Sequence, residues 1–403
     1  MNNSNENYQQ TQEFDYFIEF IENRNIIPLE IKNKKEYYSD IRNIENSFTG
    51  IMKNDAPFIE NSFILEASQL IINAIRLFEL GYFDAAFYSL RQSIEISTTM
   101  AYLSDISEEN RKKQVTAWEK QKWFPPQSKM LKMLKKNGEH YKDIKNKMSE
   151  FFDEMKNVSD KINKFVHKQG KYHFYTNIDR NTLIVSYLEK FECFLKKCIS
   201  IIAIMRLTVD PFPILLMDKE IYNRTFKMIT IPYTTAFAKK YIGNDYINQY
   251  KTTEVYKGYY NYFMKEEKRN YPTNEVVQNE CIDTSKIDEI LSQEHLLNQN
   301  EKIAVKIVKE YPTICTVYFN KHGFPYYITE VKSKNESGLN SSETIKKFHA
   351  SEEKFNQNFN GAFASVFHFD DNYICLEHNE KLNKKDTIII KKIIKDNLLS
   401  SSF

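Results

Sequence analysis

The stretch SQLIINAIRLFELGYFDAAFYSLRQSIEISTTMAYLSD, Ser68–Asp105, decides the architecture of the first half of the chain. Apolar residues recur at helical spacing up to Gly81, which can adopt the positive φ that ends a helix without a Cβ penalty. A second amphipathic run follows at once. The pattern therefore predicts two antiparallel helices joined by a tight turn. The apolar positions expected to be buried are Leu65, Ile72, Ile75 and Leu80 in the first helix, and Phe83, Phe87, Leu90, Ile94 and Ala101 in the second.

More helices are predicted towards residue 208. One long helix or a hairpin carries a buried face from Ile144 to Phe165 and is expected to stop at Gly170. Another apolar helix spans Thr182–Leu207 and is closed by the sequence Asp210-Pro211-Phe212-Pro213. Four or five main helices of this kind are typical of an up-and-down bundle.

The apolar period changes from helical towards two beyond residue 300, which indicates strands. The predicted elements are a hairpin of Ile314–Tyr318 and Tyr326–Val331, a second hairpin of Phe363–Phe369 and Tyr373–Leu376, and a final amphipathic helix, Thr387–Leu399. The predicted fold class is therefore mainly α, with a helical bundle followed by a smaller α+β module.

The expected domain organisation follows from these patterns. A chain of 403 residues is too long for one typical core. Residues 270–300 are polar and have few apolar anchors, which favours a linker. The predicted parts are a peripheral N-terminal segment (1–60), the bundle (61–208), a helical extension (209–270), a linker (271–302) and the α+β module (303–403).

Composition excludes several classes of protein. The nine glycines lie at least fifteen positions apart, so a P-loop, a dinucleotide-binding fingerprint and a kinase glycine-rich loop are ruled out. No apolar run is long and pure enough for a membrane span. The five cysteines show no paired spacing typical of disulfide frameworks or zinc sites. We expect a cytoplasmic protein that contacts no membrane and needs no metal or other cofactor.

Positive charge is concentrated in one part of the chain. Between Arg111 and Lys171 there are 17 Lys and Arg residues against 7 Asp and Glu residues. Such a local field attracts polyanions such as RNA. The alternative is a solvated, lysine-rich helix face with no ligand.

The run SDKINKFVHKQG, Ser159–Gly170, contains the main candidate for chemistry. On a helix, Asp160, Asn163, Lys164 and His167 share one stripe. A histidine beside cations can act as a general acid or base near neutral pH. The alternative is a histidine that only caps the carbonyls at the helix end.

RNA cleavage at such a histidine also needs a cation for the charge that develops on the phosphorus centre. Lys161, Lys164, Arg91 or Arg111 could supply it, and the 2′-OH of RNA supplies the nucleophile without a metal. His173 is expected to be an exposed loop residue.

The segment GYFDAAFYSLRQSIEIS, followed by a helix ending in INKFVHKQG, resembles the HEPN superfamily of nucleotide-binding helical bundles, over roughly residues 60–207. The residues that carry the resemblance are Ala85, Ala86, Phe87, Tyr88, Arg91 and Glu95, together with Phe165, Val166 and His167. It implies a dimeric, metal-independent ribonuclease of toxin–antitoxin, abortive-infection or other antiviral systems.

The chain departs from the family pattern, which is an Arg, often followed by a polar residue, then about four to six residues, then His. The residues six, five and four positions before His167 are Lys161, Ile162 and Asn163. Lysine keeps the positive charge but lacks the planar fork suited to phosphate.

The resemblance gives the candidate residues their roles. It implies that His167 is the general acid or base, and that Asn163 with Lys161 or Lys164 positions the phosphate. Arg91, Glu95 and Asp160 would support them. Two functions are open: an RNA-cleaving antiviral effector, or a catalytically inactive dimerisation scaffold that binds RNA or another ligand. In either case the C-terminal module is expected to meet a regulatory protein partner.

Overall fold

A computed structural model of the protein describes residues 29–50, 59–174, 183–319, 326–334, 353–359, 361–369 and 372–399. Its contacts divide the chain into two compact units. The first unit comprises Met1–Tyr222 and Met228–Phe263, and the second comprises Asn223–Lys227 and Met264–Phe403. The chain therefore passes between the two units three times.

The first unit is built from helices. They are α1 (Lys34–Glu45), α2 (Ile59–Glu79), α3 (Phe83–Ser104), α4 (Glu108–Glu119), α5 (Gln127–Asn137), α6 (His140–Lys147), α7 (Ser149–Val166), α8 (Leu183–Arg206), α9 (Phe212–Leu215), α10 (Lys219–Tyr222), α11 (Thr235–Tyr241), α12 (Asn244–Tyr250) and α13 (Glu254–Phe263). Helix α3 packs against α2, α5, α7 and α8, and is buried along most of its length. The predicted mainly helical fold class is confirmed. In the described residues, no helix has both the length and the apolarity needed to cross a membrane.

The turn between α2 and α3 is the one that the sequence predicts. Gly81 has φ +84°, and the amide of Tyr82 donates to the carbonyl of Leu77 at 2.8 Å. Five residues of α3 predicted to be buried, from Phe83 to Ala101, all lie in the core. A left-handed glycine thus reverses the chain so that two apolar faces meet.

The predicted buried face of α2 is partly wrong. Of the four residues expected in the core, Ile75 is buried and Ile72 is partly buried, whereas Leu65 and Leu80 are about half exposed. Apolar side chains occur around most of this helix, so their spacing alone does not fix the inward face. The inward face is fixed instead by the packing of Phe78, which stacks on Phe191 with ring centroids 4.0 Å apart.

The bundle has more helices than predicted, and its core extends beyond residues 61–208. Helix α1 buries Tyr37, Ile41 and Ile44, so this part of the segment predicted to be peripheral is core. Residues 1–28 and 51–58 lie outside the described residues. Helices α9–α13, predicted as a separate extension, bury residues in the same core, among them Phe237 and Tyr250. Helices α9–α13 are short, so the spacing of their apolar residues does not indicate which core they join.

A buried ion pair closes the end of α8. Arg206 is fully buried, and its Nη2 lies 3.0 Å from Oδ2 of Asp210. Its Nε donates to the carbonyl of Ser47 at 2.6 Å. Asp210 also accepts a hydrogen bond from the hydroxyl of Thr49 at 2.5 Å and one from the amide of Phe212 at 3.1 Å. These bonds fix the segment after α1 to the end of α8.

The second unit combines a sheet with helices. Its elements are α14 (Tyr271–Asn279), β1 (Cys281–Ile282), α15 (Ile287–Leu291), α16 (Gln299–Glu310), β2 (Ile314–Phe319), β3 (Tyr326–Thr329), β4 (Lys354–Phe359), β5 (Ala362–Phe369), β6 (Asn372–His378) and α17 (Lys384–Leu399). The linker predicted for residues 271–302 is therefore wrong. These residues form α14, β1 and α15, and bury Val276, Val277 and Ile290 in the second core.

The sheet has the strand order β1-β3-β2-β6-β5-β4. β1 pairs with β3 in parallel, and the other neighbours are antiparallel. Helices α16 and α17 cover one face, where Ile307 and Ile390 meet Val317 and Phe367. Both predicted hairpins and the final helix are confirmed. Residues 320–325, between β2 and β3, and residues 370 and 371, between β5 and β6, lie outside the described residues.

The peptide Asn223–Lys227 is held within the second unit by polar contacts. The carbonyl of Thr225 accepts a hydrogen bond from Nη1 of Arg269 at 2.9 Å. Nζ of Lys227 lies 2.9 Å from a carboxylate oxygen of Glu280. Arg269 and Lys227 are both buried, so each cation depends on these contacts rather than on water for a partner.

A buried histidine links the last two strands of the sheet. His378 and Ser365 have no exposed surface. The hydroxyl of Ser365 lies 2.9 Å from Nε2 of His378, and Nδ1 lies 2.6 Å from the carbonyl of Glu380. Since a carbonyl can only accept, Nδ1 carries the proton and Nε2 accepts from Ser365. The neutral ring is therefore fully satisfied.

Acid is expected to destabilise the protein through this ring. Burial lowers the pKa of His378 below its usual value of 6.5. The unfolded chain then takes up the proton more readily than the folded chain, so stability is retained above pH 6.5 and falls as the pH drops below it. Urea unfolding across this range, compared with that of His378→Gln, measures the effect. The variant should lose part of the pH dependence, and an identical fall in both proteins would contradict this account.

Candidate functional site

The site forms where α7 ends. One face of α7 is buried through Phe151, Met155, Val158 and Ile162, which leaves the opposite stripe at the surface. The amide of His167 donates to the carbonyl of Asn163 at 2.9 Å, and that of Gln169 donates to the carbonyl of Lys164 at 2.9 Å. Lys168 has φ +52°. The helix ends with His167 as its C-cap and Lys168 as the left-handed residue, two positions before Gly170, so the predicted stop at Gly170 is wrong.

The predicted stripe lies at the surface. Asp160, Lys161, Lys164 and His167 are exposed, and Asn163 is half-buried. In the described part of the chain, no residue forms a hydrogen bond with the His167 ring. The carbonyls at the helix end are bonded by backbone amides instead. The His167 imidazole is therefore available to a ligand.

The structure brings together three of the predicted residues that lie on different helices. Nε of Arg91, on α3, donates to Oδ1 of Asn163, on α7, at 2.8 Å. Nη2 of Arg91 lies 2.6 Å from Oε1 of Glu95, and both side chains are about one quarter exposed. Arg91 thereby fixes the Asn163 amide one helical turn before His167. An arginine from α3 therefore contacts α7 one turn before its histidine.

Arg111 is used elsewhere. Its guanidinium donates to the carbonyls of Leu103 and Ser104, both at 2.8 Å, at the end of α3. It also lies 3.6 Å from the buried carboxylate of Glu60. Arg111 therefore joins helices α2, α3 and α4, and Lys161 and Lys164 are the cations that flank His167 on its own helix.

A second histidine lies close to the site, and its predicted exposure is wrong. His173 is 8% exposed and packs on Phe165, with ring centroids 4.3 Å apart. Its burial lowers the pKa of His173, and the nearby charges of Lys168, Lys190 and Lys164 lower it further. No pattern in the sequence indicates this burial, because the 3-10 turn Lys171–His173, which brings the ring against Phe165, is too short to show an apolar period.

Lys168 fixes the chain between the two histidines. Its ammonium lies 2.5 Å from the carboxylate of Asp84 and donates to the carbonyl of His173 at 3.0 Å. The ion pair thereby joins the first turn of α3 to the residues that follow α7. Because Lys168 is engaged in this way, the backbone that places His167 is anchored to α3.

The arrangement can exchange protons with a ligand beside positive charge. An exposed imidazole can transfer protons, two lysines supply positive charge, and the oriented Asn163 amide offers donors to phosphate oxygens. Comparison of the chain with protein-family models, curated proteins and solved structures finds no match. The HEPN resemblance therefore stays a prediction.

Proposed function

We propose that the first unit cleaves RNA without a metal, with His167 as general acid or base. The observation that carries this proposal is the exposed His167 ring one turn after Asn163, whose amide Arg91 holds at 2.8 Å. An oriented group and a free imidazole are what proton transfer to a bound phosphodiester requires.

In the proposed reaction, the imidazole of His167 removes the proton of the RNA 2′-OH. The 2′-oxygen then attacks the adjacent phosphorus, the bond from phosphorus to the 5′-oxygen of the next nucleotide breaks, and that oxygen takes a proton from water. The products are a 2′,3′-cyclic phosphate and a 5′-hydroxyl. Lys161 or Lys164, with the Asn163 amide, offsets the negative charge that develops on the phosphate oxygens.

The setting of the proposal comes from the HEPN resemblance. It makes the chain a homodimeric cytoplasmic effector of antiviral defence or abortive infection, in which two copies bring their histidines together. The second unit would then meet a regulatory protein partner. No cofactor enters the proposal.

A direct assay of the purified full-length protein tests the reaction. RNA should be degraded in the presence of a chelator at the same rate as without it, and the fragments should carry cyclic phosphate and 5′-hydroxyl ends. Degradation that stops when the chelator is added would contradict the proposal, as would fragments with 5′-phosphate ends.

One observation favours a second function. The Arg91 guanidinium is paired with Glu95, which neutralises part of its charge, and α7 has lysine where the family pattern has arginine. A bundle of this kind would dimerise and bind RNA or another ligand without cleaving it. Intact RNA in the assay, together with a dimer mass in solution, would favour this alternative.

A further inference from the structure

Both tryptophans of the chain lie at the surface of the first unit. Trp118, at the end of α4, is 42% exposed, and Trp123, in the segment before α5, is 66% exposed. Trp118 rests with one side on Phe63, with ring centroids 5.4 Å apart. Large apolar side chains are costly to leave in water, so the largely exposed indole of Trp123 indicates a place where a ligand can bind.

The exposure of Trp123 is fixed by the chain on either side. Before it, Gln121 has φ +51°, and the amide of Lys122 donates to the carbonyl of Ala117 at 2.8 Å, which ends α4 with a tight left-handed cap. After it, the ring of Phe124 packs edge-on to Tyr102, and Pro125 is buried. The indole is thus held outward by an ordered backbone, which lowers the entropy cost of binding a ligand.

Lysines surround this indole. Nζ of Lys129 lies 4.5 Å from the centre of the Trp123 ring. An open depression beside it is lined by Lys112, Lys113, Thr116, Ala117, Lys120 and Lys122. Between Ser107 and Asn137 there are nine Lys and Arg residues against three Asp and Glu residues.

The ion pairs at this surface leave several cations for a ligand. Lys112 pairs with Glu108, and Lys113 pairs with Glu109, at 2.7 and 2.6 Å. Lys120, Lys122 and Lys129 form no ion pair in the part of the chain that the structure describes. The surface therefore presents an aromatic ring flanked by unneutralised positive charge.

We propose that this tryptophan–lysine surface binds single-stranded nucleic acid. Trp123 stacks on an unpaired base, and Lys120, Lys122 and Lys129 contact the phosphates on either side. Every base has a face that can stack on an indole, while a regular duplex hides those faces from it. The proposal goes beyond the proposed function, because binding here needs neither His167 nor cleavage.

An anionic membrane fits this surface less well. Binding in the plane of a membrane requires a contiguous apolar face on a helix or loop. Helix α4 buries no residue, and the depression beside Trp123 is lined mainly by lysine. One face of Trp118 is already taken by Phe63, which leaves Trp123 as an isolated apolar group among charges.

Binding is measured on the full-length His167→Ala protein, so that RNA stays intact. The probe is a labelled single strand of about 12 adenine nucleotides, as RNA and as DNA. Trp123→Ala should weaken its binding about tenfold, and Trp123→Phe should retain most of the affinity. The control is Tyr271→Ala, which removes an aromatic side chain that is 74% exposed in the second unit and should change nothing.

Two further readouts identify the contacts. In a protein that also carries Trp118→Phe, Trp123 is the only indole, and its fluorescence should be quenched by the single strand. Lys122→Gln should make binding less dependent on salt, since one phosphate contact is lost. These measurements do not require RNA cleavage, so a failed nuclease assay leaves them informative.

Three results would overturn the proposal. The first is equal affinity of the Trp123→Ala and Tyr271→Ala proteins for the single strand. The second is tighter binding of a duplex of the same length than of the single strand. The third is a fluorescence change with phosphatidylserine vesicles and none with the oligonucleotide, which would assign the surface to a membrane.

Discussion

The His167→Ala protein is expected to cleave RNA at least about a hundredfold more slowly than the unchanged protein, and to fold as well. The imidazole is exposed and forms no hydrogen bond with any described residue, so its loss costs little stability. Its loss does remove the proposed general acid or base of the α7 stripe. Initial rates on a labelled single-stranded RNA in chelator measure the effect, and circular dichroism checks the fold.

The matched control for this variant is His140→Ala. His140 is also a histidine at a helix end of the first unit, at the start of α6, and no role in cleavage is assigned to it. It should leave the rate unchanged. Equal rates for the His167→Ala protein and the unchanged protein would rule out His167 as the proton carrier, even if RNA is still degraded.

Removing Arg206 is expected to lower the free energy of unfolding of the first unit by about 3–5 kcal/mol. Arg206→Ala leaves the Asp210 carboxylate buried without its cation, and leaves the carbonyl of Ser47 without its donor. Domains are typically stable by only about 5–15 kcal/mol, so this loss is a large share of the total. Urea unfolding followed by circular dichroism measures it.

An exposed ion pair of the same spacing provides the comparison. Lys112 and Glu108 are also four residues apart, but both are about three quarters exposed. Lys112→Ala should change the unfolding free energy by less than about 1 kcal/mol. If both substitutions lower the unfolding free energy equally, the loss in the Arg206→Ala protein would not be caused by burial of the ion pair.

The sequence predicts the parts of the fold that depend on local pattern. The helical hairpin around Gly81, the apolar helix before Asp210 and both C-terminal hairpins follow from a period of apolar residues and a suitable turn. The second core around α14 and α15 could not be found this way. Helix α15 has only five residues, too few to repeat an apolar period, and its burial depends on packing against α14 and α16.

The candidate site also has a part that local spacing predicts and a part that depends on contacts between distant residues. The spacing on α7 places Asn163 and His167 one turn apart, and this needs no tertiary information. The bond from Arg91 to Asn163 joins residues 72 positions apart, so no motif within α7 could show it. The burial of His173 likewise depends on its packing against Phe165, which the spacing within α7 does not show.

The peptide Asn223–Lys227 has a consequence for how this protein can be divided or recombined. Because it belongs to the second unit while its neighbours on both sides belong to the first, no single cut yields both units intact. A fragment that starts at Met264 lacks the carbonyl that Arg269 binds and the lysine that pairs with Glu280. Exchange of the second unit between related genes would therefore need more than one breakpoint, which ties the inheritance of the two halves together.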